Sequence, residues 1–256
     1  WTAAIRFGAS QAIVNAISIA TRKLPVEVFR GIPGISRQHD VISIPPFQGS
    51  CGGNWHDAVE RMFVAGVEYL PQGQFEDLAG ELGPDGRKLF AYVDWLKARI
   101  ADLSGESRPR AITLDFHGAL GQIFNSEMGR VAAFIGELAA RALPFDLHVE
   151  SPVVEETFEN QVRQLQGLRQ ELRARKVRVR VIADEWANTL GQIESLVAAK
   201  AVDGIHIKMP DTGSLVDSGR AVAACRAGGV FVILGGSCTE TATSSRLAAH
   251  LAMATG

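Results

Sequence analysis

Cysteine is scarce in this sequence. Its three cysteines, Cys51, Cys225 and Cys238, fall at spacings that fit neither a CxxC pair nor a disulfide framework. That excludes a zinc ribbon and a stapled secreted scaffold, and a reducing cytoplasm is the expected setting. Charge of one sign is also missing. Lys+Arg 26 against Asp+Glu 28 leaves a net charge of -2, and without a basic excess nucleic acid is not an expected partner. No unbroken apolar run approaches the ~20 residues that cross a bilayer, so no membrane partner is expected. The chain opens at Trp1 without a leader pattern and stops at Gly256 after a helical run, so it reads as clipped at both ends.

What the sequence does have is 46% hydrophobic residues, arranged with a period. Short runs rich in β-branched side chains predict strands at 41–44, 66–70, 111–114, 145–149, 177–182, 204–207 and 230–234. Amphipathic stretches predict helices between them at 55–65, 85–103, 126–141, 155–175, 188–199 and 214–227. An earlier helix, about 4–22, precedes the first strand and need not belong to the repeat. Seven βα units in succession imply parallel strands and right-handed crossovers, hence a barrel or an open doubly wound sheet. No GxGxxG or GxxxxGK[ST] loop follows the first strand, so the nucleotide-binding sheets lose their signature. The expected fold is therefore an α/β, (β/α)8-type barrel over 40–256, with seven units visible and an eighth strand not found. Residues 1–39 read as a lead-in helix and connection.

Three strands end in an acid: Asp115 closes ITLD, Glu150 closes LHVE and Asp184 closes VRVIAD. In a parallel barrel all three reach the C-terminal face, where such barrels keep their catalytic residues. Acids at these places also serve as helix caps. Three in successive units favour a metal site, since converging carboxylates repel unless a cation neutralises them. An all-oxygen set suits Mg²⁺ over zinc. The next strand ends at Lys208, either a general base at the barrel mouth or an ion-pair partner of Asp184 or Glu150. Gly235-Gly236-Ser237-Cys238-Thr239-Glu240-Thr241 places glycines and hydroxyls at a helix start, where a carboxylate can bind. His117, His148 and His206 stand on or beside strand ends, as lining residues or participants.

Asp, Glu, Asp and Lys at four successive strand ends resemble the enolase superfamily. More closely, the chain resembles the methylaspartate ammonia-lyase family. The segments that carry this are Leu114-Asp115-Phe116-His117-Gly118, Val149-Glu150-Ser151-Pro152, Ala183-Asp184-Glu185-Trp186-Ala187-Asn188-Thr189, Ile207-Lys208-Met209-Pro210-Asp211-Thr212-Gly213 and the Gly235–Thr241 run. The resemblance implies an N-terminal α+β capping domain, absent from this chain. It also implies Mg²⁺, a homodimer and reversible removal of ammonia from 3-methylaspartate to give mesaconate, through an enediolate, in amino-acid degradation. Carried over, Asp115, Glu150 and Asp184 bind Mg²⁺, and Lys208 is the base for the (2S,3S) substrate. Gln48, Ser237 and Cys238 contact substrate. Two positions depart from the family pattern. Gln72 stands where the family has the opposing acid-base histidine, and glutamine transfers no proton near neutral pH. His206 stands where the family usually has glutamine, two residues before Lys208, and is expected to contact substrate.

Two other readings follow from these departures. One is a superfamily lyase or isomerase acting on a different carboxylic acid. The other is a non-catalytic ligand-binding barrel that has lost its acid-base pair.

Overall fold

The computed structural model describes residues 1–35, 46, 48–49, 55–71, 78–103, 110–235 and 240–256. The chain divides into two compact units, Trp1–Pro45 with Trp186–Gly256, and Pro46–Glu185. In chain order the helices are α1 (Ala3–Thr21), α2 (Pro25–Arg30), α3 (Trp55–Val64), α4 (Lys88–Leu103), α5 (Ala119–Ile123), α6 (Met128–Ala142), α7 (Phe158–Ala174), α8 (Leu190–Ala198), α9 (Met209–Thr212), α10 (Leu215–Ala227) and α11 (Ala242–Thr255). The strands are β1 (Tyr69–Pro71), β2 (Ala111–Asp115), β3 (Asp146–Glu150), β4 (Arg180–Ala183), β5 (Gly204–Lys208) and β6 (Phe231–Gly235). Six of the seven expected strands thus appear within three residues of their expected starts. The remaining one, 41–44, lies outside the described residues.

The central unit, Pro46–Glu185, is a run of βα repeats. Strands β1 to β4 pair in parallel with their sequence neighbours. Ala111, Ile112, Thr113 and Leu114 are all buried, as a parallel strand covered on both faces requires. The helices bury one stripe each, at a common spacing of i, i+4, i+7 and i+11. In α4 the stripe is Leu89, Val93, Leu96 and Ile100, and in α6 it is Val131, Ile135, Leu138 and Ala142. In α7 it is Gln161, Leu165, Leu168 and Leu172, where the one polar member donates from Nε2 to the Val153 carbonyl at 3.0 Å. That bond removes the cost of burying an amide.

In the other unit, β5 and β6 pair in parallel with Gly204 opposite Phe231 and Lys208 opposite Gly235. Helix α8 packs on α10, α11 on α2, and α1 on α9 and α2. Phe7, Val14, Val26, Phe29, Leu215, Leu247 and Leu251 form the core between them. Ser10 Oγ accepts a hydrogen bond from the Leu215 N–H at 3.1 Å, tying α1 to α10. Gly213 ends α9 with φ +80. A Cβ there would lie 3.1 Å from Ala3 Cα, so glycine is what lets α1 approach.

By length and composition Ala3–Thr21 is a helix apolar enough to cross a membrane. Counting unbroken runs missed it, because Arg6, Ser10, Gln11 and Asn15 are spread thinly through the helix.

Packing of α8 gives a direct check. Ile193 and Leu196 are fully buried, whereas Glu194 is exposed. Leu196→Ala is expected to lower unfolding free energy by about 3 kcal/mol, and Glu194→Ala to change it by less than about 0.5 kcal/mol. Urea titration of both variants tests the burial. Equal effects would contradict it.

Candidate metal centre

The register brings the acids together. Asp115 and Glu150 are directly paired across β2 and β3, and Glu150 pairs in turn with Ile182 of β4. Asp184 follows two residues after Ile182, so all three acids share one end of the same parallel run. Carboxylate oxygens of Glu150 and Asp184 lie within 4.8 Å of each other. Both side chains are buried, at 4% exposure each, and Asp115 is half-buried.

None of the three caps a helix. Thr157 caps α7 and Thr189 caps α8, each accepting a backbone N–H from three residues on. Helix α5, which follows Asp115, begins at Gly118 with no side-chain cap. Threonines, and not the acids, satisfy these helix starts. Each acid is also followed within two residues by a non-glycine residue in the left-handed region: His117 (φ 45), Ser151 (φ 43) and Trp186 (φ 63). Backbone in that region costs energy, and such strain gathers at functional sites. Here it turns the chain sharply away at the end of each strand.

A fourth carboxylate joins the group. Burial pushes the Asp115 carboxyl up from 3.8 to about 7, reinforced by the charges of Glu150, Glu185 and Asp184 in that order. The His117 N–H, 3.2 Å from Asp115 Oδ1, pulls it only partly back. Glu185 was quoted in the ADEW segment but given no role from sequence. Its Oε1 lies 2.6 Å from His117 Nδ1, and its Oε2 is buried with no hydrogen-bond partner among the described residues. The available signal was adjacency to Asp184, but sequence alone does not say whether such a neighbour turns in or out. A group of buried carboxylates that drives one member to hold its proton to neutrality is short of positive charge. A divalent cation supplies it, and the donor set offered by Asp115, Glu150 and Asp184 is all oxygen, the set that hard cations prefer.

The other expected site residues divide into three groups. Gln48 is half-buried and bridges in parallel to Tyr69 of β1, in the central unit with the acids. His206 and Lys208 belong to the other unit, alternating with buried Ile205 and Ile207 along β5, so both point to one face. Gln72, Ser237 and Cys238 lie outside the described residues.

Comparison with known proteins bears directly on this arrangement. Residues 41–256 match the family described as methylaspartate ammonia-lyase C-terminus. Methylaspartate ammonia-lyase 2 of Carboxydothermus hydrogenoformans is 32% identical over 255 residues, covering 98% of this chain and 60% of that protein. The crystal structure of β-methylaspartase from Clostridium tetanomorphum as a Mg complex is similar with TM-score 0.91 and 30% identity, over 100% of this chain and 62% of that one. The Citrobacter amalonaticus methylaspartate ammonia lyase containing (2S,3S)-3-methylaspartic acid gives TM-score 0.89 and 32% identity, over 100% and 62%. This chain spans about three fifths of the length of the relatives it matches. The fold is the α/β type shared with these methylaspartate ammonia-lyase structures.

The Asp115 shift has a pH consequence. Folded and metal-free, the protein holds this proton up to about pH 7, whereas the unfolded chain releases it near 3.8. Between those values the folded state binds more protons, so the stability it confers is complete below the lower value and is lost as pH rises through the upper one. The metal-free melting temperature is expected to fall from about pH 5 to about pH 8, and Asp115→Asn to flatten that fall. A divalent cation is expected to stabilise more at the upper pH. Scanning calorimetry on chelator-treated protein checks this, and a melting temperature climbing over the range would refute it.

Proposed function

Because this chain belongs to the methylaspartate ammonia-lyase family, we propose that it carries the barrel of a carbon–nitrogen lyase that removes ammonia reversibly from 3-methylaspartate, giving mesaconate. The observation that carries the reading is the buried carboxylate group at the strand ends, in a chain whose family match runs from 41 to 256. Relatives of this chain bear that activity in their names, one is a Mg complex and another contains (2S,3S)-3-methylaspartic acid.

Asp115, Glu150 and Asp184 would hold Mg²⁺. Bound there, the ion supplies positive charge against the negative charge that grows on the substrate carboxylate as the C3 proton leaves. Lys208, the last residue of β5, takes that proton from the (2S,3S) substrate. The C3 hydrogen is weakly acidic, so the base must be held in place before it acts, and a strand end does this better than a loop. Gln48, Gln72, His206, Ser237 and Cys238 contact the substrate. Gln72 stands at the sequence position where the family has its second acid-base group, and glutamine transfers no proton near neutral pH, so the proposed reaction runs through one base. The enzyme works as a homodimer in the cytoplasm, in amino-acid degradation.

Lys208→Ala is expected to lower kcat/KM for (2S,3S)-3-methylaspartate by about a thousandfold or more. EDTA is expected to abolish turnover, with Mg²⁺ restoring it. Ammonium release and mesaconate absorbance report both. A protein that turns over no aspartate derivative with Mg²⁺ present ends this reading.

The diastereomer with the opposite C3 configuration is expected to be a poor substrate, and Gln72→His to improve it by about tenfold or more. Comparing kcat/KM for the two diastereomers in wild type and variant decides the point. Equal turnover of both by the wild type would sink the single-base reading.

A further inference from the structure

We propose that Gly235 is a positioning residue: the missing side chain on β6 forms a notch that holds the His206 imidazole at the level of Lys208. The inference rests on the proposed site for its functional meaning, and on the β5–β6 pair alone for its geometry.

On one face of this pair β5 presents Gly204, His206 and Lys208, and β6 presents Phe231, Ile233 and Gly235. At the two ends of the pair a glycine on one strand opposes a bulky residue on the other, Gly204 against Phe231 and Gly235 against Lys208. The Phe231 ring occupies the space where a Cβ on Gly204 would stand. A Cβ on Gly235 would lie 2.5 Å from His206 Nε2, 3.4 Å from its Cδ2 and 3.6 Å from its Cε1. His206 is registered against Ile233, not Gly235. The branched Ile233 side chain fills the position directly across, so the imidazole leans diagonally, towards the C-terminal end of the strand, over Gly235. Gly235 is the register partner of Lys208. The notch therefore brings the ring to the strand end that carries Lys208.

Glycine is not needed here for backbone reasons. Gly235 is absent from the left-handed positions of this chain, so alanine can adopt its conformation. Among the described residues, nothing but the imidazole lies within the distance that forbids a Cβ. Glycine inside a strand has a cost in stability and marks places where something must approach closely. In this strand the approaching group is the tip of His206.

The consequence is specific. Gly235→Ala is expected to displace one ring and leave the strand backbone in place, so its effect on substrate should be carried by His206. Four proteins test it: wild type, Gly235→Ala, His206→Ala and the double variant, each assayed for kcat and KM with 3-methylaspartate and Mg²⁺. Gly235→Ala is expected to raise KM about tenfold with kcat changed less than about threefold. On the His206→Ala background the same change is expected to shift KM by less than about twofold, since the ring it collides with is gone. Full additivity in the double variant would overturn the proposal. Histidine-selective NMR gives a readout independent of turnover. Of the six histidines, the one whose signal His206→Ala deletes should be the one displaced by Gly235→Ala, and an unmoved signal overturns the notch. If the wild type shows no lyase activity, the proposed function falls while this NMR comparison still decides the geometry. If Gly235→Ala alone fails to fold, the double variant should fold, and its failure overturns the proposal.

Discussion

Burying like charge is the constraint on which the rest of the central unit depends. Two unit charges about 5 Å apart repel by about 3 kcal/mol at an effective dielectric of about 20, and Glu150 and Asp184 approach within 4.8 Å while almost wholly out of water. Asp115 and Glu185 add to the same field. A fold does not relax into such an arrangement; it must be forced by something stiffer than the side chains. The stiff element is the parallel register, which sets Asp115 opposite Glu150 and Glu150 opposite Ile182. The apolar stripes of α4, α6 and α7 hold that register by burying the far side of the strands. Hydrophobic burial along the helices thus offsets electrostatic cost at the strand ends.

The same constraint explains how Asp115 behaves. A proton and a divalent cation are alternative ways to reduce the charge of the group. Without a cation, Asp115 takes the proton, and its carboxyl is pushed up to about 7. A cation that binds must displace that proton, so its apparent affinity strengthens with pH until Asp115 is ionised. The His117 N–H, donating to Asp115 Oδ1, favours the ionised form. The Glu185–His117 contact anchors the fourth carboxylate at the edge of the group. The centre is thereby biased towards cation over proton, but not far enough to keep Asp115 ionised on its own.

What could be read from the sequence was whatever repeats. Acids at 115, 150 and 184 close runs of β-branched residues roughly one βα unit apart, and that spacing alone places them at one end of a parallel sheet. The helices were legible for the same reason, since Leu89, Val93, Leu96 and Ile100 spell out a buried stripe. Short elements were not: α2, α5 and α9 are six, five and four residues long, less than the two turns over which a period becomes visible. Glu185 escaped because adjacency to Asp184 does not announce that its side chain reaches His117. Gly235 escaped because a strand glycine looks like punctuation until the residue diagonal to it is known. The hydropathy of α1 was misread because scattered polar residues interrupt runs without interrupting a helix.

Position 206 and position 72 raise a chemical question that the metal centre does not. A lyase with one base needs that base to be correctly placed more than it needs a partner for it, because elimination moves the C3 proton in one direction and lets the amine leave from C2. A glutamine at 72 would be compatible with that, since its amide can hydrogen bond but cannot return a proton. A histidine at 206 is a different matter, since it places an imidazole two residues before the lysine on the same strand. Both side chains lie on the same face of β5, and the space above Gly235 decides how far along the strand the imidazole reaches. On the proposed reading, Lys208 with His206 beside it would confine proton transfer to a single face of the substrate. That is the stereochemical requirement of a one-base elimination, and it needs no group at position 72 beyond a hydrogen-bond partner.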